Sequence, residues 1–113
     1  MRKLLMFAFA ILHLNSPVHG KEFHVSGVGA KSCAGFTSQY KDNAIEELIS
    51  FTWAQGYMSG LNSAQYLRKE GLRNLAAWPQ DQQLAQIRLY CQQSPSSPYY
   101  LSVFELYHAL PIN

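Results

Sequence analysis

The chain has 113 residues, with nine Lys and Arg set against seven Asp and Glu and a formal charge of +2. That near-balance, with no basic stripe and no acidic run, provides no electrostatic footprint for nucleic acid or for an anionic membrane surface. The length suits one small domain.

The first segment reads as a secretory leader. Arg2 and Lys3 form a positive n-region, Leu4 to Leu14 an apolar stretch, and Val18-His19-Gly20 a cleavage site. Residues 1–20 are therefore expected to be a signal peptide and 21–113 a single helical domain, placed in the periplasm or secreted. Removing the leader takes away two basic residues and brings the formal charge to zero. In an oxidising compartment the two cysteines, Cys33 and Cys91, are expected to bond to each other. The loop so closed is worth about 4 kcal/mol by the chain-entropy estimate. A domain this small buries little surface, so it needs such a staple.

Lys21 to Lys31, with Gly27 and Gly29, reads as a flexible or irregular lead-in. Asn43 followed by Glu46 forms a capping-box pattern, with Asp42 adding favourable charge, and predicts a long helix from there to about Arg68. Its main apolar stripe is Ile45, Leu48, Ile49, Thr52, Trp53, Gly56, Gly60, Ala64 and Leu67. Gly71 is expected to end it, and Leu72 to Trp78 to connect. A further helix opens at Pro79 and ends at Cys91, with Leu84, Ile87, Arg88 and Cys91 on one face. Gln92 to Pro98 is a turn, and Ser97-Pro98 caps and opens the last helix, with Tyr100, Val103, Phe104, Tyr107 and Leu110 inward. No segment alternates, so the fold class is all-α, about four helices stapled by one disulfide.

Two features of the long helix bear on binding. Gly56 and Gly60 lie in the middle of the predicted stripe, where glycine is unfavourable, and mark a site of close packing by a helix or ring of the same chain, or else a groove for a partner. Phe51, Ala54, Met58 and Leu61 point the other way, so the helix is apolar on two sides. A central position in the domain accounts for that; if exposed, Phe51, Met58 and Leu61 with Tyr57 become the binding or dimer patch.

Catalysis has little to work with. His24 and His108 are the two histidines beyond the leader, with no metal-ligand spacing to the cysteines and no His-Glu-x-x-His. Neither enzyme activity, nor a metal, nor a cofactor is expected. The expected partner is a protein, with a homodimer possible, and no membrane span remains once the leader is removed.

Ser32-Cys33-Ala34-Gly35-Phe36 resembles the Cys-x-x-Phe start of the HdeA/HdeB acid-stress chaperones. Tyr90-Cys91-Gln92-Gln93-Ser94-Pro95 is similar to their Tyr-Cys-x-x-Asn-Pro close, with Ser94 in place of the asparagine. This resemblance implies a small periplasmic helical protein, dimeric at neutral pH, that opens in acid and holds unfolding clients; the lysine-rich C-terminal end of those chaperones is absent. Gly56-Tyr57-Met58-Ser59-Gly60, followed by Cys91, Pro95, Val103 and Leu110, resembles the pattern of Tai-type immunity proteins, which neutralise secreted amidases. Those proteins usually carry further cysteines. A secreted helical protein with neither activity is the third reading.

Overall fold

A computed structural model describes residues 23–113, so the expected leader, residues 1–20, lies outside the described residues. Four α-helices follow a short 3-10 turn, Gly27–Ala30: α1 (Cys33–Asp42), α2 (Ala44–Leu67), α3 (Gln80–Gln93) and α4 (Tyr99–Ala109). The fold is all-α. Among the described residues only two isolated bridges, Ser32 with Pro98 and Arg73 with Ile112, have strand-like pairing.

Local chemistry accounts for the helix ends. Ser32 caps α1 by accepting from the Gly35 amide at 3.1 Å, and Asn43 caps α2 by accepting from the Ile45 amide at 3.0 Å. Asn43 also separates α1 from α2 through its extended backbone, so the long helix begins where its cap predicts. Gly71 does not end α2. The helix stops at Leu67, Lys69 takes a left-handed φ of 57°, and Gly71 instead lies under the Ile112 side chain. Pro79 and Pro98 each precede the first helical residue, and neither cap position uses a side-chain bond, Ser97 included. α3 continues two residues beyond Cys91, to Gln93.

The lead-in is more ordered than its composition suggests. Residues 27–30 form a tight turn laid over α2, and a β-carbon at Gly29 would overlap the indole ring of Trp53. The indole N–H of Trp53 donates to the Ser26 carbonyl at 3.2 Å, fixing that approach. Close glycine packing therefore occurs at Gly29, in the turn, rather than in the helix.

The Cys33–Cys91 disulfide joins the start of α1 to the end of α3 with Cα atoms 4.7 Å apart. Around it, α1 docks its orphan amides on the α3–α4 turn: Cys33 N–H donates to Ser97 O at 2.7 Å and Ala34 N–H to Pro95 O at 2.9 Å. The core is formed by Cys33, Phe36, Phe51, Ala54, Met58, Leu84, Ile87, Cys91, Tyr99, Val103, Leu106, Tyr107 and Leu110. In α4 the buried row is rotated by about one position from the predicted one: Tyr99 and Leu106 are inside, Tyr100 is half-buried and Phe104 is exposed. Tyr100 and Phe104 share an angular sector with Val103 and Tyr107, and α4 rests on α3 and the 3-10 turn, which selects the neighbouring arc.

At the far end of α2, Asn62 holds the connector. Its Nδ2 donates to Arg73 O at 2.9 Å, its Oδ1 accepts from Arg73 N–H at 3.0 Å, and Tyr107 Oη donates to the same oxygen at 2.8 Å. Arg73 in turn donates to the last carbonyls of α4, Leu110 O at 2.9 Å and His108 O at 3.2 Å. An arginine on helix-end carbonyls complements both the orphan acceptors and the dipole.

Candidate functional site

The long helix α2 has two apolar sides, and the structure assigns them in reverse. Phe51, Ala54 and Met58, with Leu61 and Tyr57 half-buried, face the core, so this set is not an exposed patch. The predicted main stripe faces solvent: Ile45 is 66 % exposed, Ile49 50 %, Leu48 47 % and Leu67 81 %, with Tyr66 at 71 % beside it. Trp53 alone of that stripe is half-buried, under the 3-10 turn. Among the described residues, nothing beyond the helix's own backbone lies within 4 Å of a β-carbon built on Gly56 or Gly60, so no described helix or ring of the same chain fills the notch predicted there.

A polar contact on the buried side sets this orientation. Glu47, 6 % exposed, lies one turn before Phe51, and Arg88 of α3 grips its carboxylate with two donors, Nε to Oε2 at 2.6 Å and Nη2 to Oε1. The guanidinium also sits 5.3 Å from the centre of the Tyr40 ring of α1. Hydrogen bonding to Glu47 raises the Arg88 pKa above its already high ordinary value. A charge buried without such a partner would be costly, so this pair keeps the Glu47 side of α2 inward.

The solvent face is unusual in carrying no charge. From Leu48 to Leu67, 20 consecutive residues include no Asp, Glu, Lys or Arg. Ile45, Ile49, Thr52, Gly56, Gly60, Ser63 and Leu67 fall within an arc of about 80° at 100° per residue. Three hydroxyls on this side are satisfied within the helix itself: Thr52 Oγ1 donates to Leu48 O at 2.9 Å, Ser59 Oγ to Gln55 O at 2.8 Å and Ser63 Oγ to Ser59 O at 3.0 Å. Covering them strands no donor, which lowers the desolvation cost of a contact here. Depletion of charge is the compositional mark of an interface centre. Ser59 and Ser63 were not singled out from the sequence; the uncharged run was the signal available for them.

Other candidate residues do not converge. His108 is exposed at the end of α4, its Nδ1 2.9 Å from the Phe104 carbonyl, and His24 is exposed near the start of the described chain. Among the described residues no three His, Cys, Asp or Glu gather closely enough to hold a metal ion, and no helix is long and apolar enough to cross a membrane. Of the aromatic residues suited to anchoring a partner, Tyr66 is exposed, Trp78 half-buried, and Tyr57 stacked on Trp53 at 5.1 Å between ring centres. Burial, and then the neighbouring Tyr100, push the Tyr57 phenol above its ordinary pKa.

The architecture is thus a small all-α domain with one disulfide and an uncharged helical face turned to solvent. No family model matches the chain, and no curated protein or solved structure matches it either.

Proposed function

We propose that the protein acts by binding other polypeptides through the solvent face of α2, as a periplasmic acid-stress chaperone of the HdeA/HdeB kind. The observation that carries this reading is the uncharged face itself, five turns of helix with Ile45, Leu48, Ile49, Tyr66 and Leu67 largely in water. Exposed apolar area of this kind belongs to surfaces that receive a partner. Acid supplies a means of enlarging it. Below about pH 4 carboxylates take up protons. The seven Lys and Arg and two His beyond the leader then carry positive charge with little carboxylate charge to balance it. Self-repulsion of that size loosens compact states, and the disulfide limits how far the helices separate.

The test is light scattering of an aggregation-prone client at pH 2 to 4, with and without the mature disulfide-bonded protein. Wild type is expected to suppress aggregation, and Ile49→Glu to weaken that suppression. Absence of protection at every acidic pH rules the chaperone reading out. The second reading, an immunity protein that binds one secreted effector, draws on the same face being available before any acid opening. It requires tight, pH-tolerant binding to a single protein in fixed stoichiometry, with Tyr66 as an anchor.

A further inference from the structure

We infer that the hollow between the C-terminal halves of α2 and α4 binds an apolar residue bearing a free α-carboxylate and an acylated amide N–H, the chemistry of a polypeptide C-terminus or of an N-acylated amino acid. This site lies away from the solvent face of α2 and stands independently of the reading given to that face.

The hollow follows from how the two helices pair. They lie side by side and run the same way, Tyr57 meeting Tyr100 and, further along, Asn62 meeting Tyr107. Leu61, Gln65 and Arg68 fall within an arc of about 60° on α2, opposite the side of Ile49 and Leu67. Phe104 and His108 are one turn apart on α4, their ring centres 4.3 Å from each other. With the Tyr107 ring these residues line a cavity of about 290 Å³. Such a volume suits one amino-acid residue and is too small for a larger ligand.

Charge and apolar surface are divided within it. Tyr107 is buried and Leu61 half-buried, whereas Arg68 and His108 are exposed, so the inside is apolar and the cation stands at the mouth. No Asp or Glu is among the lining residues. Among the described residues the Arg68 guanidinium has no ion-pair partner, the pair Glu47 with Arg88 being the one formed. A guanidinium offers a fork of donors that matches a carboxylate. The last carbonyls of α4, which would repel an anion, are covered by Arg73.

Gln65 supplies the second requirement. Its Oε1 is shut off from solvent and has no hydrogen-bond partner among the described residues. A buried acceptor left unpaired is costly, and the amide N–H that precedes a terminal carboxylate is the donor it lacks. Gln65 is half-buried with a flexible side chain, so a small rotation brings the oxygen onto a bound N–H. Three positions apart on one helix face, Gln65 and Arg68 match a donor and an anion two bonds apart in the ligand. A simple fatty or aromatic acid would satisfy Arg68 and leave Gln65 unpaired. Residues 111–113 of this chain do not supply the ligand, because Asn113 N–H donates to Leu72 O at 2.8 Å and Ile112 covers Gly71.

Titration of the mature, disulfide-bonded protein with N-acetyl-leucine at neutral pH, followed by amide chemical shifts and calorimetry, tests the inference. Saturable binding is expected with a Kd on the order of 1 mM for so small a ligand, with shifts at Leu61, Gln65, Phe104 and His108. N-acetyl-leucinamide, which lacks the carboxylate, is expected to bind about tenfold more weakly, and Arg68→Gln to weaken binding of N-acetyl-leucine by a similar factor. Gln65→Leu should lower affinity for N-acetyl-leucine but not for 4-methylpentanoate, which keeps the carboxylate and the apolar body without the amide; a merely structural Gln65 would change both alike. A hexapeptide ending in a free leucine that binds more tightly than N-acetyl-leucine assigns the site to polypeptide C-termini, and one that does not bind assigns it to the acylated amino acid. Absence of saturable shifts at these residues up to about ten times the expected Kd overturns the inference, as does binding indifferent both to loss of the carboxylate and to Arg68→Gln. Neither result touches the reading of the solvent face, since Ile49 does not line this cavity.

Discussion

Arg88 of α3 reaches Glu47 of α2 with two nitrogen donors, Nε at 2.6 Å from Oε2, and this contact between residues 41 positions apart is one of those that hold the Glu47 side of the long helix inward. The two partners differ in burial: the Glu47 side chain is 7 % exposed and that of Arg88 39 %. Removing one or the other should therefore have unequal effects. Arg88→Ala leaves a buried carboxylate without its counter-charge and is expected to destabilise by about 3 kcal/mol. Glu47→Gln leaves an arginine able to turn into solvent and should be milder, about 1 kcal/mol. Urea unfolding of both variants checks the order; equal midpoints would mean the pair does not hold α2.

Glycine substitutions separate the two kinds of glycine. At Gly29 the indole of Trp53 occupies the space of a β-carbon, so Gly29→Ala is expected to cost about 1 to 3 kcal/mol through overpacking. At Gly56 the space is open and the backbone helical, so Gly56→Ala should stabilise one copy of the domain by up to about 1 kcal/mol. Thermal unfolding at low protein concentration, where a self-contact would not interfere, reads both.

Reduction of Cys33–Cys91 is expected to lower stability by about 4 kcal/mol, because it frees a loop of 58 residues. Non-reducing peptide mapping of the purified protein should show one linked species. Two free thiols would remove the staple on which the domain depends.

Tyr99 tests a different term. It is fully buried, and its hydroxyl has no hydrogen-bond partner among the described residues. Burial, and then the Glu47 carboxylate, push its pKa far above the ordinary 10.0; burial also raises Tyr57 and Tyr107, with Arg73 partly offsetting the last. A phenol whose folded pKa is raised contributes stability that is fully present below about pH 10 and is lost as pH rises toward the folded value. The domain should therefore weaken progressively above pH 10. Tyr99→Phe removes an unpaired polar atom, so it is expected to gain about 1 kcal/mol at neutral pH and to flatten the alkaline decline. A loss of stability at neutral pH would mean that the hydroxyl is hydrogen-bonded.

The existence of α2, α3 and α4, most of their boundaries and the cysteine pairing were legible in the amino-acid sequence because their signals are local. Asn43 offers a side-chain acceptor to the first amides of α2, Pro79 and Pro98 precede helices they cannot interrupt, and two cysteines have one way to pair within a chain. α1 was not legible, and no helix was expected at Cys33–Asp42: of its ten residues only Cys33 and Phe36 are buried, so it has almost no apolar period, and its amides depend on carbonyls more than 60 residues away. Which face of α2 is inside was decided by tertiary structure alone. Both of its sides are apolar, so periodicity reports a helix without saying which way it turns. The choice comes from contacts distant in sequence: Arg88 draws Glu47 inward, Tyr107 and Arg73 meet Asn62, and Gly29 lets a turn settle on Trp53. These contacts leave Gly56 and Gly60 in the open, because a helix can give only one side to a core that three other helices already fill.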